Sequence, residues 1–267
     1  MDLIFYANRY KANAFELMLR LFEDAKNRGV GCVFADDESS LVSLERCQWD
    51  KAFCVVAVGG DGTVLRAASA ASKHGKPVLG VNMGRVGFFS EIGPDGFDGA
   101  LSKLIGGEYF TEDSSMIACE LNGEHIGDCL NDFVIHRQEL SSITHLDLEI
   151  DGDDIGDVMS DGLIIGTPSG STAYTMSAGG PVVAPKLDCM LVTPICPHSL
   201  TVRPIVASAS SVVNVRLKCT CRLNTDGRDT RILEPGDGLV FRQSEQKARF
   251  IRFDKRNVFR LIREKLK

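Results

Sequence analysis

Residues 53–63 read Phe53-Cys54-Val55-Val56-Ala57-Val58-Gly59-Gly60-Asp61-Gly62-Thr63. The first six are apolar and rich in Val, the pattern of a strand buried on both faces. The next five break that run with three glycines, and a helix is predicted from about Val64 to Lys73. Strand, glycine loop and helix in that order belong to an open α/β sheet, which binds ligands at the carboxyl ends of its strands.

The flanking sequence extends the pattern. Residues 2–6 (DLIFY) form a short apolar strand. Phe15, Met18, Leu19, Phe22 and Ala25 recur at the period of an amphipathic helix over 11–28, with Gly29 as its stop. VGCVFA (30–35) and PVLGV (77–81) read as strands, and 41–47 and 97–105 as helices. This alternation predicts a parallel sheet with helices on both faces. From about Tyr109 to Val240 the pattern becomes period-2 alternation, clearest in HLDLEI (145–150) and SVVNVRL (211–217). Asn122-Gly123, Asp151-Gly152 and Asp226-Gly227 are hairpin turn pairs. The expected fold class is α/β plus β. A Rossmann-like parallel-sheet domain (1–106 with 245–267) is followed by a β-rich, sandwich-like domain (107–244). Residues 257–267 carry Val258, Phe259, Leu261, Ile262 and Leu266 on a short basic helix expected to return to the first domain.

Composition excludes several classes. The chain has 267 residues, a net charge of −6, 44% apolar and 25% charged residues, an ordinary globular mixture. No apolar run approaches the roughly 20 residues of a membrane-spanning helix. The start, MDLIFYANRY, lacks the basic end and long apolar core of a signal peptide. Net acidity argues against a general nucleic-acid binder. Nine Cys without a C-x-x-C pair exclude zinc-ribbon and redox-motif readings. Cys54, Cys119 and Cys129 sit in strand-like runs and read as small buried hydrophobes in a reducing cytoplasm.

Four segments carry candidate chemistry. In Gly59-Gly60-Asp61-Gly62-Thr63 the glycines let a phosphate approach the backbone, and the helix start offers free N–H groups. Asp61 would repel a phosphate, so it reads as a base for an attacking hydroxyl or a Mg²⁺ ligand. The same loop also reads as a plain turn with Asp in a tight bend. No Walker A lysine is present. Arg66, one turn into the helix, is grouped with this loop. Asn82-Met83-Gly84-Arg85-Val86-Gly87-Phe88-Phe89 again follows a strand, and Asn82 could bond a ribose or simply belong to a capping loop. Asn131-Asp132 offers a donor and an acceptor suited to a sugar diol, or a turn before a strand. Residues 161–174 hold Asp161, Ser169, Ser171, Thr172, Ala173 and Tyr174, hydroxyls for phosphate or ribose and a ring for a base. Local chemistry alone equally allows a hydroxyl-rich loop with a core Tyr.

As an ordered series these motifs resemble the NAD kinase family. GGDGT (59–63) precedes N-x-G-x-x-G-F (82–88), then LND (130–132), DGLIIGTPSGSTAYTMSAGGPVVAP (161–185) and TPICPHSLTVRPIV (193–206). The resemblance implies transfer of a phosphoryl group from ATP to the adenosine 2′-hydroxyl of NAD, with Mg²⁺ or Mn²⁺. It implies Asp61 as general base, with Gly59, Gly60, Gly62 and Thr63 on phosphate. Asn131 and Asp132 correspond to the grip on the nicotinamide ribose, and Asp161 to the contact with the nicotinamide carboxamide. Ser169, Thr172, Ala173 and Tyr174 correspond to the adenine segment. A cytoplasmic homodimer or homotetramer is implied, in which a neighbouring subunit can complete the NAD site. No metal ligand is assigned. Two departures stand out: Asp132 where the family usually has Glu, and Arg228 after Asp226-Gly227 where it often has Gln. His198 and Arg203 read as backbone-bonding or phosphate-facing. The rival readings are a diacylglycerol-type lipid kinase, which shares the GGDGT loop, and a dinucleotide sensor without turnover. The phosphoryl donor, whether ATP, another NTP or polyphosphate, is open.

Overall fold

The computed structural model describes residues 1–84, 87–139, 141–255 and 258–265. The chain forms two compact units, Met1–Asp113 with Lys247–Lys267, and Ser114–Gln246.

In the first unit the elements alternate. They are β1 (Asp2–Tyr6), α1 (Ala12–Asn27), β2 (Gly31–Ala35), α2 (Glu38–Val42), α3 (Arg46–Lys51), β3 (Ala52–Val58), α4 (Asp61–Ser72), β4 (Val78–Val81) and α5 (Phe97–Gly106). The strands lie parallel in the order β2-β1-β3-β4. Period-2 alternation sends Leu3, Phe5, Val56 and Val58 to one face, where Met18 and Leu21 of α1 and Leu101 and Leu104 of α5 cover them. The opposite residues Ile4, Val55 and Ala57 are equally buried. On β3 packs α4, whose Ala67, Ala68 and Ala71 let the helix approach closely. Of the stripe expected on α1, Met18 and Ala25 are core and Phe15 and Phe22 pack against it; Leu19 faces outward, and Leu17 and Leu21 join the core instead. The helix expected at 41–47 is two short helices instead. Asp37 starts the first by accepting the Ser40 N–H at 2.7 Å, and Gln48 caps the second through the Glu45 N–H.

The chain continues through β5 (Phe110–Leu121), β6 (Glu124–Cys129), β7 (Asp132–Arg137), β8 (Thr144–Ile150), β9 (Asp153–Ser160), β10 (Gly162–Gly166), α6 (Tyr174–Ser177), β11 (Cys189–Ile195), β12 (Ile205–Ser208), β13 (Val213–Leu217), β14 (Cys221–Thr225), β15 (Arg228–Leu233), β16 (Gly238–Arg252) and α7 (Val258–Lys265). In the second unit one antiparallel sheet runs β12-β11-β10-β7-β14-β15. The other joins β16, β13, β8 and β9, with the β5–β6 hairpin. Both sheets contribute to one core, including Ile117, Phe133, Ile135, Leu148, Leu163, Val192, Val215, Leu223 and Phe241. The three predicted turn pairs close the β5–β6, β8–β9 and β14–β15 hairpins. Both residues of each pair have positive φ, as a type I′ turn requires.

Two expectations needed revision. The strand character read as ending near Val240 persists in β16, a 15-residue strand to Arg252, whose polar and charged middle hides its alternation in the sequence. On the last helix, the side chain of Val258 and all of Leu266 lie outside the described residues, and Phe259 is 70% exposed. Phe133 lies 5.5 Å from Phe241 inside the sandwich. Phe133→Ala is expected to lower stability by about 3–5 kcal/mol, read by urea denaturation.

Candidate active site

The first unit builds its candidate site where β3 meets α4. Gly59 has φ +152°, and a Cβ there would sit 2.6 Å from the Thr63 hydroxyl, so the position requires glycine. Gly60 caps α4 and Asp61 is its first residue, at the positive end of the helix dipole. The first N–H groups of a helix have no intrahelical acceptor. Gly60 and Gly62 put no side chain over that end. The hydroxyl of Thr63 is buried and lacks a hydrogen-bond partner among the described residues. Arg66 is half-buried one turn further on, its guanidinium toward Gly62.

The loop after β4 holds the Asp61 carboxylate. The N–H of Phe88 donates to Oδ2 at 3.1 Å and the N–H of Phe89 to Oδ1 at 3.2 Å. A Cβ on Gly87 would lie 1.9 Å from Oδ1. Gly87 therefore makes room for the carboxylate. Asn82 folds the same loop: its amide donates to the Ser90 hydroxyl at 3.3 Å and accepts the Gly84 N–H at 3.2 Å. Arg85 and Val86 lie outside the described residues.

The second unit presents a groove of about 490 Å³. Period-2 alternation on β7 sends Phe133 and Ile135 to the core and Asp132, Val134 and His136 to the groove. Asn224 of β14 pairs with Val134 and lines the same face. Asp161 and Tyr174 complete the lining with Arg137. Three residues predicted separately, Asp132, Asp161 and Tyr174, thus converge. Sequence reading missed His136, Arg137 and Asn224, since a residue's face on a strand is apparent only once the core side is known. Arg137 Nη1 holds Asp161 Oδ1 at 2.8 Å. His136 Nδ1 lies 2.9 Å from the Arg137 carbonyl and Nε2 3.2 Å from Asn224 Oδ1.

Asp226 was also missed as a site residue, because Asp-Gly reads as a hairpin turn whatever its side chain does. Its carboxylate accepts the N–H groups of Leu130 (3.0 Å), Asn131 (2.7 Å) and Asp132 (3.3 Å), so it shapes the whole Leu-Asn-Asp turn. Burial raises the Asp226 pKa, against the three N–H bonds that favour its ion. Asp132 is 4% exposed, and no hydrogen bond to its carboxyl occurs among the described residues. Burial first, and the Asp226 charge second, push it up to about 7. Asn131 Oδ1 is buried without a hydrogen-bond partner among the described residues.

The hydroxyl-rich segment packs on that turn. Thr167 donates its hydroxyl to the Leu130 carbonyl at 2.5 Å and its N–H to the Asn131 carbonyl at 2.9 Å. Gly170 is pressed to the same backbone: a Cβ there would lie 2.1 Å from the Asn131 oxygen. Ser171 is internal, bonded to both backbone groups of Val183. Ser169, Thr172 and Ala173 are half-buried in the turn that delivers Tyr174, itself 46% exposed. His198 is exposed, and its backbone N–H bonds the Met159 carbonyl.

Comparison with known proteins gives this geometry a family. A family model described as the ATP-NAD kinase N-terminal domain matches residues 3–109, and one described as the ATP-NAD kinase C-terminal domain matches residues 130–253. The chain belongs to the NAD kinase family. A relative named NAD kinase from Methanothermobacter thermautotrophicus is 39% identical over 217 residues, 79% of this chain and 75% of the relative. One from Ectopseudomonas mendocina is 40% identical over 220 residues, 79% of this chain and 75% of the relative. Among solved structures, an NAD kinase from Archaeoglobus fulgidus in complex with ATP has a TM-score of 0.78 at 26% identity, covering 99% of this chain and 97% of its own. Yeast NADH kinase complexed with NADH has a TM-score of 0.86 at 21% identity, covering 100% of this chain and 87% of its own, a likeness of fold.

Two outcomes are expected from this NAD kinase family chain. Gly87→Ala displaces the Asp61 carboxylate, so turnover should fall at least about tenfold while circular dichroism keeps its native form. Between pH about 4 and about 7 the folded chain holds a proton on Asp132 that the unfolded chain has released. Stability from this group therefore declines as pH rises through that window. Asp132→Asn should be more stable than the parent chain at pH 8 and show no such gain at pH 4, read by urea unfolding.

Proposed function

We propose that this chain phosphorylates the adenosine 2′-hydroxyl of NAD with ATP, giving NADP and ADP. The carrying observation is the Asp61 carboxylate at the start of α4, fixed by the N–H groups of Phe88 and Phe89 in a glycine loop. Phosphate binding alone gains nothing from a carboxylate there. Asp61 accepts the hydroxyl proton as the 2′-oxygen attacks the γ-phosphorus, and the bond from that phosphorus to the β–γ bridging oxygen breaks. The backbone around Gly59, Gly60, Gly62 and Thr63 cradles phosphate, with Arg66 and Asn82 beside it.

The roles divide between the units: Met1–Asp113 with Lys247–Lys267 for the triphosphate, and Ser114–Gln246 for NAD. Asn131 and Asp132 take the nicotinamide ribose diol, which supplies donors to the unpartnered Asn131 Oδ1 and to Asp132. Asp161, oriented by Arg137, takes the carboxamide. Ser169, Thr172, Ala173 and Tyr174 surround the adenine.

Among the described residues no three ligating side chains converge. A magnesium ion carried on a triphosphate needs only one or two protein carboxylates, so a Mg²⁺ or Mn²⁺ would arrive with the nucleotide, and Asp61 would hold it only in the alternative in which it is not the base. Such an ion supplies neutralisation of charge on the transferring group. No described helix is long and apolar enough to cross a membrane. All nine cysteines are free thiols, which supports a reducing cytoplasm as the working compartment. A homodimer or homotetramer is the proposed assembly.

The test offers purified protein NAD with ATP or polyphosphate and Mg²⁺, and reads NADP. Asp61→Asn should lose at least about 100-fold in turnover and keep NAD binding. Near-normal turnover in that variant would remove Asp61 from the role of base. Nucleotide binding without NADP formation by the parent chain would favour a sensor.

A further inference from the structure

Arg252, near the end of β16, lies far from every motif that marks the family, yet it is only 3% exposed. Its guanidinium has three partners. Nε donates to Glu112 Oε2 at 2.8 Å, and Nη1 donates to the Phe89 carbonyl at 3.1 Å and to Glu91 Oε2 at 3.3 Å. Glu91, 7% exposed at its side chain, also accepts the Phe253 N–H at 2.9 Å. The Phe89 ring stacks on Phe250 at 5.3 Å, and the guanidinium sits 5.2 Å from the same Phe250 ring.

Phe89 is therefore held from three sides. Its N–H binds Asp61, its carbonyl binds Arg252 and its ring lies on β16. One residue separates the guanidinium from the carboxylate. We propose that Arg252 is a positioning residue for Asp61, acting through Phe89 to fix the amides that orient the carboxylate. This rests on the assignment of Asp61 as base. Stability alone does not require such a cluster, since a whole buried triad can often be replaced by apolar residues of similar volume, although removing the arginine by itself leaves the Glu91 and Glu112 carboxylates uncompensated. The arginine's planar fork, however, can hold a carbonyl and two carboxylates in one fixed geometry, which a lysine cannot.

The experiment compares Arg252→Lys and Arg252→Met with the parent chain. Arg249→Met, on the same strand as Arg252 and at an exposed pair with Asp113 of β5, is the control and should behave as the parent. Turnover should fall roughly 10- to 100-fold in Arg252→Met and less in Arg252→Lys, with KM for NAD and for ATP within about twofold. Amide hydrogen exchange at Phe88 and Phe89 should accelerate in both variants while β3 amides stay protected. Combined with Asp61→Asn, Arg252→Met should lower residual turnover no further. Where that residual rate is undetectable, or Arg252→Met does not fold, the Arg252→Lys turnover and its Phe88 and Phe89 exchange decide.

Unchanged turnover, a rise in KM alone, unaltered exchange at those amides, or an equal loss in the parent and Asp61→Asn backgrounds would each overturn the role of Arg252. Near-normal turnover in Asp61→Asn alone would overturn the assignment of the base, and with it this inference.

Discussion

The candidate chemistry of the first unit depends on a carboxylate lying against main-chain amides. Asp61 comes from the end of β3 and its amide partners from the loop after β4. Parallel pairing of these strands places their carboxyl ends side by side, so two loops distant in sequence become neighbours. The contact tolerates no Cβ at residue 87. Two of the glycine positions in the motifs thus have separate reasons: Gly59 for its backbone angle, and Gly87 for the space its missing side chain leaves.

The second unit repeats the device. Asp226 spends its carboxylate on three consecutive N–H groups and so sets the turn that carries Asn131 and Asp132. Both acids act on the backbone, where a negative charge meets oriented donors rather than a basic side chain. This explains how a chain of net charge −6 is suited to a polyanionic nucleotide. Asp61 and Asp226 are tied to amides, and the loop backbones remain the electropositive surface.

Asp132 sits buried beside a second carboxylate, that of Asp226. Asp226 has three N–H donors to support its charge, whereas Asp132 has no such bond among the described residues. Burial and the Asp226 charge therefore push Asp132 up to about 7. A protonated carboxyl donates as well as accepts, which still suits a diol.

Periodicity and turn chemistry made much of the fold legible. The apolar, Val-rich run at 53–58 reads as a doubly buried strand, and the Asn-Gly and Asp-Gly pairs read as turns, since their physics is local. The glycine and hydroxyl motifs likewise located the candidate segments and, by resemblance, the family. Sequence could not say which glycine accommodates a ligand and which accommodates Asp61, because that depends on a loop some 26 residues later. Nor could it mark Asp226, Arg137 or Arg252, whose partners lie up to 163 residues away. Local spacing determined what kinds of element and loop this chain forms. The pairing of distant strands decided which charged groups meet, because only tertiary packing fixes where a buried side chain finds its hydrogen bonds.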